Sequence, residues 1–138
     1  MRKKIALIGN MNNAHYTLMR YLSDISFDCT LLLFNNEISH FYPDSDTCAR
    51  DRFDKIKKLD WGSPESFKST HKNKIIDDLK PYDFLVGNGY TPAYLAKASI
   101  KLDIFDPYGS DLYEATIYGI KRFLIQNNIL TFFQRKGI

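Results

Sequence analysis

The sequence predicts an α/β fold, a parallel sheet covered by helices, and three observations carry that expectation. Ile5-Ala6-Leu7-Ile8 is a continuous apolar run, as a central strand buried on both faces requires. A helix-length stretch separates it from a second apolar run, Cys29 to Phe34, which makes a βαβ unit of ordinary size. Residues 82–114 then repeat one grammar twice: a short apolar run, a loop of glycine, asparagine, proline or serine, and a helix-start signal. In such sheets the loops leaving the carboxyl ends of the strands are where ligands bind.

Taken in order, the first strand leads into Gly9-Asn10-Met11-Asn12-Asn13, rich in residues that tolerate unusual backbone angles. A helix is expected over about His15 to Asp24, with Leu18, Leu22 and Ile25 on its inner face. After the second strand the pattern weakens. Residues 35–69 contain two turn clusters, at 42–46 and 60–64, and a connection this long calls for short helices, one expected over Ala49 to Lys58. Thr70 to Lys80 reads as a helix with Ile75, Ile76 and Leu79 inward, stopped by Pro81. Tyr82 to Val86 is the third clear strand. Thr91 reads as an N-cap before Pro92, opening a helix to about Ala98. Leu102 to Phe105 is the fourth strand, and Asp111 with Glu114 has the spacing of a capping box. The remainder, to about Lys136, is helical in pattern, with a break at Asn127-Asn128 and a terminating Gly137.

The 138 residues suffice for one core and not for two ordinary ones, so a single domain over 1–138 is expected. Apolar residues at 44% and charged residues at 25% exclude a disordered chain. A net charge of +3 falls well short of a nucleic-acid signature, and no nucleic-acid partner is expected. Cys29 and Cys48 are too few for a disulfide framework, and Cys29, inside an apolar run, reads as a buried small hydrophobe. No His, Cys and carboxylate cluster has metal-ligand spacing, so no metal is expected. The apolar run after the basic N-terminus is too short for a signal peptide, and no stretch is long enough to span a bilayer. The expected location is cytoplasmic, with peripheral contact at the inner face of the membrane left open.

Chemistry concentrates at the strand ends. Gly9, Asn10, Asn12 and Asn13 precede a helix N-terminus, where amide groups suit a phosphate or a sugar hydroxyl; a tight βα turn needs the same residues without any ligand. One glycine makes no GxGxxG fingerprint, and no Gly-Lys-Ser/Thr follows, so neither a dinucleotide site nor a P-loop is expected. His15 is placed to contact a ligand or act as a base, or simply to begin the helix. Gly89 and Tyr90 lie in a second sharp turn, where an aromatic projects beside a helix start. Asp106-Pro107-Tyr108-Gly109-Ser110-Asp111-Leu112 is the sharpest feature: Pro107 fixes the strand exit, Tyr108 presents an aromatic, and Gly109-Ser110-Asp111 enters a helix, Asp111 being by default its cap. No GxSxG elbow is present and no residue is assigned as catalytic.

Four segments in order, IALIGNMNN, YDFLVGNGY, TPAYLAKAS and Tyr108-Gly-Ser-Asp-Leu, resemble the N-terminal half of a GT-B glycosyltransferase, GT4-like in type. The last is similar to a His-Gly-Ser-Asp-Leu motif, with Tyr108 where histidine is common. The resemblance implies a Rossmann-like parallel sheet in three layers, α/β/α, whose strand-end loops form the acceptor side of a cleft. It implies transfer of a sugar to a glycan or lipid-linked acceptor, in bacterial polysaccharide synthesis. A nucleotide diphosphate sugar serves as substrate, and no cofactor is needed. The loop from Asn10 to Asn13 would approach donor phosphate or acceptor, and Gly89, Tyr90 and Tyr108 to Asp111 would line the acceptor side. The donor-binding C-terminal domain is absent from these residues, so a second domain or a donor-binding subunit is the expected partner, and the isolated chain is expected to be inactive. Lys121, Arg122, Arg135 and Lys136 beside Phe132 would meet a membrane surface, or form an ordinary solvated helix face. The competing reading is a stand-alone Rossmann- or flavodoxin-like module that uses the same loops for another small molecule or a protein partner, without transfer chemistry.

Overall fold

In a computed structural model that describes residues 2–45, 52–109 and 128–138, five strands form one parallel sheet. They are β1 (Lys4–Ile8), β2 (Asp28–Leu33), β3 (Ile56–Lys58), β4 (Phe84–Gly87) and β5 (Ile104–Phe105), in the order β3-β2-β1-β4-β5. Every pairing is parallel, with Ile8 opposite both Leu32 and Gly87. Parallel neighbours need crossovers, and the described helices are α1 (Ala14–Asp24), α2 (Lys72–Leu79), α3 (Thr91–Ala98) and α4 (Asn128–Gly137). This is the Rossmann-like arrangement, with the strand order reversing between β1 and β4.

The two faces follow from the alternation of side chains along the central strands. Ile5 and Leu7 of β1, with Cys29, Leu31 and Leu33 of β2, pack on Tyr16 and Met19 of α1. Ala6 and Ile8 face the other way, onto Ile75, Leu79, Tyr94, Leu95 and Leu130 from α2, α3 and α4. A continuous apolar run is therefore what a strand covered on both sides needs, and Cys29 is the buried small hydrophobe its context implies. Cys48 lies outside the described residues.

Several local expectations change. The inner face of α1 is set by His15, Tyr16 and Met19, while Leu18 and Leu22 flank it half-buried and Ile25, past the helix end, is 67% exposed. The β1–α1 turn fixes that rotation, because the Asn10 side-chain oxygen accepts from the Tyr16 amide at 2.9 Å. Ile76 is exposed, so Ile75 and Leu79 alone seat α2. His71 caps that helix by accepting from the Asn73 amide at 3.3 Å. Within the helix expected over 49–58, residues 56–58 are instead the edge strand β3, paired with Leu31–Leu33. Its two exposed lysines, Lys57 and Lys58, suit an edge that must not recruit another chain. Residues 49–51 lie outside the described residues. Thr91 is the first helical residue of α3 rather than its cap, and its hydroxyl donates to the Asn88 carbonyl at 2.7 Å. Gly137 remains inside α4; a Cβ there would overlap the Pro92 carbonyl, so glycine lets α4 approach α3 closely. The helix start expected at Asp111 and residues 112–127 lie outside the described residues.

Candidate functional site at the strand-order reversal

β1 and β4 are neighbours whose chains leave in opposite directions, β1 to α1 on one face and β4 to α3 on the other. Such a divergence opens a crevice at the carboxyl ends of the strands. Here the crevice is closed in behind by Asn88, whose amide donates to the Ile8 carbonyl at 3.1 Å. Gly9 turns the chain with φ +76°, and a Cβ at that position would overlap Asn88 Oδ1 and crowd the Phe34 ring. Only glycine fits, for reasons of both backbone and space.

His15 stands at the centre. Its side chain is 0% exposed, and Nδ1 lies 2.8 Å from the Gly9 carbonyl oxygen. That oxygen can only accept, so Nδ1 carries a proton; the Asn88 side-chain amide at 3.5 Å is too far to reverse the choice. In the neutral ring Nε2 is therefore a bare acceptor, buried and without a hydrogen-bond partner among the described residues. It faces Asp106 Oδ2 at 3.5 Å, from a carboxylate that is 47% exposed. Two acceptors aimed at each other are held at ease only by a proton between them or a donor that bridges them. Asp106 is fixed just beyond β5, its amide donating to the Gly87 carbonyl at 2.9 Å.

Burial lowers the His15 pKa below its ordinary 6.5, outweighing the Gly9 carbonyl and the Asp106 carboxylate, which both raise it. The unfolded chain takes up a proton as the pH falls through 6.5, and the folded chain resists it. Thermal stability is therefore expected to decline as the pH drops below 6.5 towards the depressed value, with no contribution from this group above it. Melting curves between pH 5 and 8, roughly the span in which histidine titrates, check this. Wild type and His15→Gln with identical acid slopes would refute it.

The loop residues divide by role. Asn10 is buried and fully engaged: Oδ1 takes the Tyr16 amide, and Nδ2 donates to Asn13 Oδ1 at 2.9 Å and to the Phe41 carbonyl. Its own amide donates to Glu37 Oε1 at 3.0 Å. Asn10 thus builds the loop. Asn12 and Asn13 adopt left-handed backbone angles, φ 51° and 60°, and Asn12 is exposed above them. Gly89 also has positive φ, and its carbonyl accepts from Gln134 of α4 at 2.7 Å. Gln134 Oε1 takes the Ala93 amide at 2.9 Å, so one buried side chain ties α4 to this loop. Tyr90 and Tyr108 are exposed, and a Cβ at Gly109 would meet none of the described residues within 4 Å. Ser110 and Asp111 lie outside the described residues.

The structure thus brings Gly9, Asn10 and His15 together and adds three residues that the sequence placed in loops without assigning them to the site: Asn88, Asp106 and Glu37. Asn88 and Asp106 each follow a strand directly, the same signal that singled out Gly9. Glu37, four residues beyond β2, gave no signal of its contact with Asn10. Among the described residues there is no group of three side chains able to hold a metal, and no helix long and apolar enough to cross a membrane. Of the residues expected at a membrane, Lys121 and Arg122 lie outside the described residues, Arg135 and Lys136 fall in the last turn of α4, and Phe132 is 58% exposed.

No protein-family model matches this sequence, and comparison with curated proteins gives no match. Among solved structures, a short-chain dehydrogenase/reductase from Veillonella parvula is similar at a TM-score of 0.48 and 12% identity, over 99% of this chain and 62% of that one. This chain accordingly spans less than two thirds of that enzyme's length. None of these comparisons supports the glycosyltransferase resemblance, and what stands is the Rossmann-like parallel sheet.

Proposed function

We propose that this chain supplies the acceptor side of a glycosyl-transfer cleft, binding a hydroxylated sugar or lipid-linked glycan at the β1, β4 and β5 loops. One observation carries the reading: a half-exposed Asp106 carboxylate backed by a buried, proton-poor His15 Nε2 at 3.5 Å. A ligand hydroxyl answers that arrangement, since it donates to Asp106 and supplies the proton the pair lacks. Tyr90 and Tyr108, both exposed, are aromatic residues suited to the apolar side of a sugar. In this reading Asp106, fixed by the hydrogen bond from its amide to the Gly87 carbonyl, accepts from the acceptor hydroxyl beside His15 Nε2. The nucleotide-sugar donor and the stabilisation of its departing diphosphate belong to a second domain or subunit. The four sequence segments that resemble GT-B enzymes support the same assignment.

The test is ligand binding by the chain itself, measured by saturation-transfer NMR with neutral glycosides and nucleotide sugars. Asp106→Asn keeps the size and removes the charge, and it is expected to weaken glycoside binding about tenfold or more, the range of one charge-assisted hydrogen bond. No binding of any glycoside would sink the acceptor reading. Binding of some other small molecule at the same residues would favour a module without transfer chemistry.

A further inference from the structure

We infer that Glu37 sets the charge selectivity of this cleft: it occupies the anion position of the β1–α1 turn itself, excludes phosphate, and leaves that side to an uncharged hydroxylated ligand. The part concerning the ligand rests on the acceptor reading above; the part concerning Glu37 does not. In an open βα turn of this kind, unpaired amides at the helix start attract phosphate. Here four of them, at Asn10, Asn13, Ala14 and Tyr16, already have partners. The Asn10 amide donates to Glu37 Oε1 at 3.0 Å, the Asn13 amide to the Asn10 carbonyl at 2.9 Å, and the Ala14 amide to the Met11 carbonyl. The Tyr16 amide donates to Asn10 Oδ1 at 2.9 Å. A side-chain carboxylate thus stands where a bound anion would, and the Asn10–Phe41 contact pins the segment that carries it.

The surrounding charges act in the same direction. The residues that directly follow the five strands (9–13, 34–38, 59–63, 88–90 and 106–109) include Glu37, Asp60 and Asp106 but no lysine or arginine. Asp60 is paired with Lys74 at 3.7 Å, which leaves Glu37 and Asp106 as the charged groups of these described strand-end segments. A phosphate entering there meets two carboxylates and no free amide at Asn10. A sugar hydroxyl, able to donate to either carboxylate, meets no such obstacle.

The experiment follows backbone amides in 1H–15N spectra of the whole chain, titrated separately with inorganic phosphate and with methyl glucoside. In wild type, phosphate is expected to leave the Asn10 amide unmoved. Glu37→Ala and Glu37→Ser both vacate the position and are expected to bind phosphate there at least about tenfold more tightly than wild type. Glu37→Gln still accepts the Asn10 amide and is expected to behave as wild type at this position. Saturable phosphate shifts at Asn10 in wild type, as tight as in Glu37→Ala, would overturn the inference. So would an Asn10 amide that stays silent in both opened variants. Methyl glucoside decides the other question: shifts at Gly9, Asn88 and Asp106 support an uncharged ligand, and their absence defeats the acceptor reading while the phosphate result still stands on its own.

Discussion

Trp61→Ala is expected to cost about 3–5 kcal/mol, the range for removing a large buried aromatic. Trp61 is 0% exposed and packs at a tilt between Phe34, at 6.1 Å between ring centroids, and Tyr94, at 5.0 Å. Its indole N–H also donates to Asp78 Oδ2 at 2.9 Å. Tyr94 continues the cluster to Phe67 and donates its hydroxyl to the Ser63 carbonyl at 2.7 Å. This one side chain therefore joins the loop after β3 to β2, α2 and α3. Against a total stability of order 5–15 kcal/mol the loss is a large fraction, and a melting temperature lower by about 10–15 °C is the expected reading. Asp78 keeps its ion pair with Lys74 at 3.0 Å, so no buried charge is orphaned and the loss is mainly one of packing. Trp61→Phe keeps most of the ring area and gives up the hydrogen bond; it is expected to cost roughly 1–2 kcal/mol. Chemical denaturation of the two variants checks both numbers, and equal losses would show that the indole hydrogen bond outweighs the packing of the ring.

Gly9→Ala is expected to cost roughly 2–4 kcal/mol, combining a strained left-handed backbone with overpacking. The added methyl would overlap Asn88 Oδ1 and crowd Phe34 in the floor of the crevice, neither of which can move without disturbing β4 or the aromatic cluster. Gly109→Ala is the matched control. Its φ is +83°, close to the +76° of Gly9, but a Cβ there meets no atom of the described residues within 4 Å. The difference between the two variants isolates the steric part. The Gly9 carbonyl also orients His15, so the proposed glycoside binding is expected to fall in Gly9→Ala. Loss of stability and binding to the same extent in both would remove Gly9 from the architecture of the site.

What could be read in the chain was whatever rests on local pattern. Continuous apolar runs marked β1, β2 and β4, and strand-then-glycine punctuation marked the loops that the sheet gathers at one edge. Three strand ends of the site, at Gly9, Gly89 and Tyr108, were legible for that reason. β3 was not, because three residues with two lysines hold no strand pattern; they become a strand only when Leu31–Leu33 offer an edge to pair with. The rotation of α1 was hidden because hydrophobic spacing favours Leu18 and Leu22, whereas hydrogen bonds from Gly9 and Asn10 turn His15 and Tyr16 inward. Asn10 resembled a ligand contact in sequence because its chemistry suits one, and nothing local revealed that Glu37 and Phe41, 27 and 31 residues away, engage it.

The sequence by itself determined a parallel α/β sheet and the edge at which its polar loops collect, since periodicity and turn chemistry are local properties. Tertiary structure alone decided which of those polar groups remain open to a ligand. Hydrogen-bonding capacity is shared out by contacts between distant segments: Glu37 closes the Asn10 amide, and the crossover through α3 to β5 brings Asp106 before the one buried side-chain nitrogen, His15 Nε2, that has no hydrogen-bond partner among the described residues.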